Sequence, residues 1–246
     1  MNNQLLISLV AATATITTFS SSALAGSLVP QKEGEINVGL GCIDLDPNKC
    51  IEVSEIPFIK SIESLTDSTT GNRSRLFVDN LATANTYGSG TNAIKFKTKD
   101  AGTNPTDFWF RPSEHNESTG YAEEKGQLEV GTFSFTFTEI LKELSVDFFD
   151  TESNSTTGII AINGVNLASP DWVAKGADGN IVSQTFTNIS SITLKLGQDY
   201  NGGTGDGVDF NLNKQDVPEP TTLLSLLAVG LFGATSLGKA SKKAAK

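Results

Sequence analysis

The sequence is poorest in the side chains on which much enzyme chemistry depends. One histidine, His115, and two cysteines, Cys42 and Cys50, occur in 246 residues. A Ser-His-Asp hydrolase needs a histidine base beside its nucleophile. His115 lies in the polar run Arg111-Pro112-Ser113-Glu114-His115-Asn116-Glu117, which reads as an exposed, solvated loop. The spacing of the two cysteines, with one distant histidine, matches no zinc pattern. No Gly-x-x-x-x-Gly-Lys-Ser/Thr loop is present to cradle phosphates, and no His-Glu-x-x-His pair to hold a catalytic metal. Basic residues are also scarce, with 18 Lys and Arg against 28 Asp and Glu. Setting aside Lys239, Lys242, Lys243, Lys246 and Glu219, residues 26–217 hold 14 basic against 27 acidic side chains, a net charge of −13. Phosphate binding needs a basic footprint, so nucleic acid is not a partner. Adhesion to an anionic membrane surface is disfavoured, whereas solubility and divalent cation binding are allowed.

Both ends of the chain are short of charge. Residues 1–25 contain no Asp, Glu, Lys or Arg, so only the α-amino group supplies a positive start. This apolar and small-residue stretch ends Ser22-Ala23-Leu24-Ala25. Ala23 and Ala25 make the small-x-small pattern that signal peptidase cleaves, which puts the mature N-terminus at Gly26. At the other end, Pro218-Glu219-Pro220 precedes an uncharged stretch, residues 221–238, and then the four lysines. Lysines behind an apolar span stay on the cytoplasmic side and leave the body across the membrane. A bilayer core needs about 20 apolar residues. The stretch is slightly short and contains Ser225, Gly230, Gly233 and Ser236. It therefore reads as a processed signal more readily than as a permanent anchor helix. The expected division is a signal peptide (residues 1–25), an ectodomain (26–217) and a sorting segment (218–246).

The order of Pro218-Glu219-Pro220, apolar run and lysine cluster resembles the PEP-CTERM sorting signal of bacterial exported proteins. Leu128-Glu129-Val130-Gly131 is similar to the signature of the LEVG family of such proteins. The resemblance implies export by a Sec-type signal, a cell-surface or secreted destination, and handling of the tail by exosortase, a membrane protease. It implies no catalytic activity.

Between these ends the chain reads as all-β. Thr132-Phe133-Ser134-Phe135-Thr136-Phe137-Thr138 alternates strictly, with three Phe on one face. The pattern recurs at Ile94 and Phe96, at Leu144, Val146 and Phe148, at Ile192, Leu194 and Leu196, and at Val208, Phe210 and Leu212. A period of two over short segments predicts half-buried antiparallel strands. Ile159-Ile160-Ala161-Ile162 is continuously apolar and predicts a strand buried on both faces, ending in the tight-turn pair Asn163-Gly164. Thr138-Glu139-Ile140-Leu141-Lys142-Glu143 predicts one helical turn or a bend between strands. The last strand is expected at residues 208–212, possible as a sheet edge near the termini, followed by an exit linker at 213–217. No repeat of 20–50 residues appears, so solenoids and propellers are excluded. The expected architecture is an antiparallel β-sandwich of jelly-roll or carbohydrate-binding-module type. In an oxidising compartment Cys42 and Cys50 are expected to form a disulfide around a short, turn-rich loop.

Three kinds of site are open. Asp199, Asn201, Asp206 and Asp209 place hard oxygen ligands in a glycine-rich segment suited to calcium, although the spacing is neither an EF-hand nor an RTX repeat. The competing reading is a hairpin whose Asp and Asn side chains stabilise turns. Asp150, Glu152 and Asn154 form a second calcium candidate. Asp147, Asp150 and Glu152 follow one another at a strand end, as a glycosidase acid–base pair could; exposed carboxylates of an acidic domain explain them equally. Trp109 and Trp172, with Tyr121 and Tyr200, offer flat rings for sugar binding. Trp172 follows Pro170-Asp171 in an expected loop, and Trp109 reads also as a core anchor. Three functions follow: an exported matrix or biofilm protein, a calcium-assisted carbohydrate-binding module, and a secreted glycan hydrolase. The first is favoured, because the strongest signals concern delivery.

Overall fold

The computed structural model describes residues 25–44, 46–68, 71–80, 82–90, 93–96, 108–116, 118, 130–198 and 207–215. The strands among them are β1 (Ala25–Ser27), β2 (Gly34–Ile36), β3 (Cys50–Ile51), β4 (Ile59–Leu65), β5 (Arg73–Asn80), β6 (Asn85–Tyr87), β7 (Ile94–Phe96), β8 (Phe108–His115), β9 (Gly131–Phe149), β10 (Gly158–Ile162), β11 (Val165–Trp172), β12 (Ile181–Leu196) and β13 (Asp209–Gln215). The described residues hold one 3-10 turn, Val53–Glu55, and no α-helix. The all-β class is therefore as the alternation predicts.

Two of the expected strands are one. β9 runs unbroken for 19 residues, and residues 138–143 stay extended. Its inward side chains are Phe133, Phe135 and Phe137 in the first half but Leu144, Val146 and Phe148 in the second. The change from odd to even positions requires a slip in the pleat. Pairing with β12 is irregular in this part of the strand: Ile189 lies opposite Leu141 and Ser191 opposite Thr136, so the extra residues are on β9. The irregular step bends the ladder and increases its twist.

Hydrogen bonds join eleven strands into one mixed sheet in the order β11-β10-β12-β9-β13-β8-β5-β2-β3, with β1 added on β13 and β4 on β9; β6 and β7 form a separate hairpin. Expectation of purely antiparallel pairing fails at one place. β2 and β3 run parallel, because residues 37–49 carry the chain back to its starting direction. The Cys42–Cys50 disulfide pins that short crossover.

The sheet curls back on itself. β4 and β13 share one side of β9, β4 along its first half and β13 along its second. From β13 the path continues through β8 to β5, and β5 meets β4 again at two serines. Ser64 Oγ donates to the Ser74 carbonyl at 2.6 Å and accepts from the Ser74 amide at 2.9 Å. Inside the curl Phe110, Phe135 and Phe210 pack with ring centroids 5.0–5.8 Å apart. On the outside, the β6–β7 hairpin covers part of β5, where Phe77, Tyr87, Ile94 and Phe96 form a second apolar cluster.

Three further expectations are corrected. Residues 111–115 are no loop: they complete β8 and are buried against β5, whose partner for His115 is Arg73. Ile160 and Ile162 are only half-buried, so β10 has a single covered face. β13 extends to Gln215 and lies inside the sheet, between β9 on one side and β8 and β1 on the other.

Candidate functional site

The pleat decides which polar side chains gather on the outer face. Phe148, Phe210 and Leu212 point inward, so Asp147, Asn211 and Asn213 point outward. Antiparallel pairing sets Asp147 opposite Asn211 on β13 and opposite Ser183 on β12. Asp147 accepts from Ser183 Oγ at 2.5 Å and from Asn213 Nδ2 at 2.7 Å. The N-terminal strand β1 lies against the end of β13, with Ser27 opposite Asn213. Ser27 Oγ donates to Asn211 Oδ1 at 3.1 Å, and Gln31 Nε2 donates to the Val29 carbonyl at 3.1 Å.

Ser27, Gln31, Asp147, Asn211 and Asn213 line a cleft of about 530 Å³, with Phe108 and Trp109 on its wall and Ile181 on its rim. Ile181 is half-exposed at 50 %. Ser27 and Gln31 also border a smaller, mainly apolar cleft of about 350 Å³ against Pro57, Phe58 and Lys214. The N-terminal segment thus divides the two.

The structure brings Trp109 and Asp147 into one cleft, although the sequence separates them by 38 positions. Trp109 is 3 % exposed and packs on Phe149 with ring centroids 5.6 Å apart, so it is chiefly an anchor of the outer face. Trp172 is the last residue of β11, paired with Gly158, and lines neither cleft. It stands on a strand rather than in the expected loop, because the ladder with β10 takes in Asp171 opposite Ile159 and Trp172 opposite Gly158.

Of the first calcium candidate, only Asp209 is among the described residues. Its Oδ2 lies 3.3 Å from Arg111 Nε, and Arg111 Nη1 donates to Asp79 Oδ2 at 3.0 Å. Asp209 is a member of a buried ion-paired group, not of an open loop. Asp199, Asn201 and Asp206 lie outside the described residues, as do Tyr121, Tyr200, Ala23, Pro218, Glu219, Pro220, Leu128 and Glu129. Ala25 and Gly26 begin β1.

The second candidate is regrouped. Carboxylate oxygens of Asp150, Glu152 and Asp178 fall within 4.8 Å of one another. Asp150 Oδ1 also accepts from the Gly179 amide at 2.8 Å, while Asn154 Oδ1 accepts from the Lys175 amide at 3.3 Å. Asp178 lies in the turn-forming run Gly176-Ala177-Asp178-Gly179, which carries no metal-binding pattern of its own. It arrives because the end of β9 pairs with the start of β12, Phe149 opposite Ile181.

Sequence reasoning missed the buried charges altogether. Glu35 and Arg75 form a 2.5 Å ion pair, and Asp67 and Lys195 one of 2.9 Å. Arg111 is fully buried, with Cζ 4.4 Å above the Phe96 ring. Burial pushes the Glu35 carboxyl above the usual carboxylate range despite the opposing Arg75. Burial raises Asp79 in the same way, against the pull of Arg111. On the surface, the hydrogen bond from Lys49 holds Asp44 low. Alternating polar residues suggest a solvated face. Here a hairpin lies over part of that face, and only the fold reveals it.

Comparison with known proteins locates the PEP-CTERM protein-sorting motif at residues 216–239. No curated protein and no solved structure matches the chain. The motif implies export, association with the cell surface and processing by an exosortase. Among the described residues no helix is long and apolar enough to cross a membrane; the apolar stretch 221–238 lies outside them.

Proposed function

We propose that the chain is an exported surface protein of the LEVG type whose β domain resides in an extracellular polysaccharide or biofilm matrix and catalyses no reaction. The motif at residues 216–239 behind an acidic all-β body carries this reading. Signal peptidase frees Gly26 and an exosortase-like membrane protease acts near Pro218-Glu219-Pro220. The 221–238 span holds the chain in the membrane until then. The curled sheet is in this reading a sandwich of carbohydrate-binding-module kind, its two limbs meeting through Phe110 and Phe135.

The outer-face cleft favours binding over hydrolysis. A glycosidase needs a general acid facing a second carboxylate. Asp147 accepts hydrogen bonds from Ser183 and Asn213 and is the one carboxylate among the described residues of the cleft, so no second carboxylate faces it there. Asp150, Glu152 and Asp178 support a calcium-assisted variant of the same reading.

Fractionation of the producing cells tests it. The mature protein is expected with the extracted extracellular polysaccharide, and Pro218→Ala with Pro220→Ala should leave it in the membrane fraction. Recovery of the wild-type protein from the cytosol, or from medium free of polysaccharide, would overturn it.

A further inference from the structure

From the cleft itself we infer that its ligand is a neutral oligosaccharide segment, held between the N-terminal strand and the outer face of β9 and β13. The inference rests on the matrix reading and names the site through which the body would hold its polysaccharide.

Charge removes the anionic ligands. No Lys or Arg is among the described residues that line the cleft, Asp147 contributes a negative charge, and the body carries −13. A phosphate, a sulfate or a uronic acid would be repelled at close range.

Hydrogen-bonding capacity favours hydroxyls. A carboxamide offers two N–H donors and an acceptor oxygen. The bonds to Asp147 and Val29 use one donor on Asn213 and one on Gln31, so both side chains keep capacity for a ligand that donates and accepts. Asp147 adds a charged acceptor, whose hydrogen bonds to hydroxyls are the stronger kind.

Apolar surface is present where a sugar ring needs it. Ile181 at the rim and Phe108 on the wall can cover the C–H face of a pyranose while its hydroxyls meet the amides. At about 530 Å³ the cleft falls in the roughly 300–1,000 Å³ range of ligand sites.

An extended peptide fits less well. Peptides commonly dock by adding a strand to a free sheet edge. β9 is paired along both sides at this place, and β13 with β9, β8 and β1. The cleft therefore meets its ligand through side chains. Ser27 and Gln31 belong to the segment that opens the mature chain, so the site is complete only with β1 docked on β13.

The test is calorimetric titration of the mature protein, purified from the producing cells, with neutral hexasaccharides of glucose, mannose, galactose and xylose, and with hexagalacturonate as the acidic control. At least one neutral hexasaccharide should bind and the acidic one should not. Gln31→Ala combined with Asn213→Ala should weaken binding about tenfold, through lost hydrogen bonds. Ile181→Glu, at a half-exposed rim position, should weaken it by a similar factor without changing the unfolding midpoint. Absence of any neutral binding, preference for hexagalacturonate, or wild-type affinity in both variants would overturn the inference. Co-sedimentation with the extracted polysaccharide separates the two levels. Sedimentation unchanged by the variants overturns the cleft and leaves the matrix reading standing. Hexasaccharide binding without sedimentation overturns the matrix reading alone.

Discussion

Arg111 shows what a single side chain does in this body. It is fully buried, its guanidinium lies between Asp79 and Asp209, and the Phe96 ring packs beneath it. Removing one partner of a buried ion pair leaves an uncompensated charge. Arg111→Leu should therefore lower stability by about 3–5 kcal/mol, read as a shifted urea midpoint. Arg111→Lys keeps the charge but loses the planar fork that reaches two carboxylates, so it should fall between wild type and Leu. An Arg111→Leu midpoint equal to wild type would show that the pair contributes nothing. The two cysteines act through the unfolded chain instead. Cys42→Ser with Cys50→Ser should cost about 2–3 kcal/mol in the chain-entropy estimate for so short a loop, with little change in the native spectrum. The disulfide was legible from composition and compartment. Arg111 was not, because a charged residue between Pro112 and an aromatic run looks solvated until a hairpin is placed above it.

At the scale of elements, legibility follows locality. The strands around Phe133, Leu144, Leu194 and Phe210 are written in the alternation of their own side chains. The turn at Asn163-Gly164 is written in its residues, and both adopt positive φ, 52° and 75°. What joins separate segments left no local trace: the parallel β2–β3 pair and the addition of β1 to β13. The cleft belongs to this class, since Ser27, Trp109, Asp147 and Asn211 come from four strands. Gly158 marks another non-local constraint. A Cβ there would lie 2.2 Å from the Asp171 carbonyl oxygen on β11. Gly158→Ala should force β10 and β11 apart and cost about 1–3 kcal/mol, as overpacking does. Amide hydrogen exchange should then accelerate in residues 165–172 first; unchanged protection there would contradict the close approach.

The whole molecule is an acidic body with carboxyls buried inside it, and that combination sets its response to pH. Glu35 and Asp79 have raised values in the folded state, so the native protein binds protons more readily than the unfolded chain. Their contribution is fully present below the ordinary carboxylate range and is lost as pH rises through the raised folded values. Relief of the −13 charge acts in the same direction. The unfolding temperature should therefore rise as pH falls from neutral toward the ordinary carboxylate range; a steady fall over that interval would contradict the burial of these groups.

Delivery is what unites the account: an uncharged N-terminal stretch, an acidic strand-built body with one disulfide, and a sorting motif with lysines behind it. Mass spectrometry of the protein as the producing cells leave it reads all three at once. The account predicts an N-terminus at Gly26, a C-terminus lacking the apolar stretch and its lysines, and a mass two hydrogens short for the Cys42–Cys50 bond. An intact polypeptide from Met1 to Lys246 with both thiols reduced would contradict it.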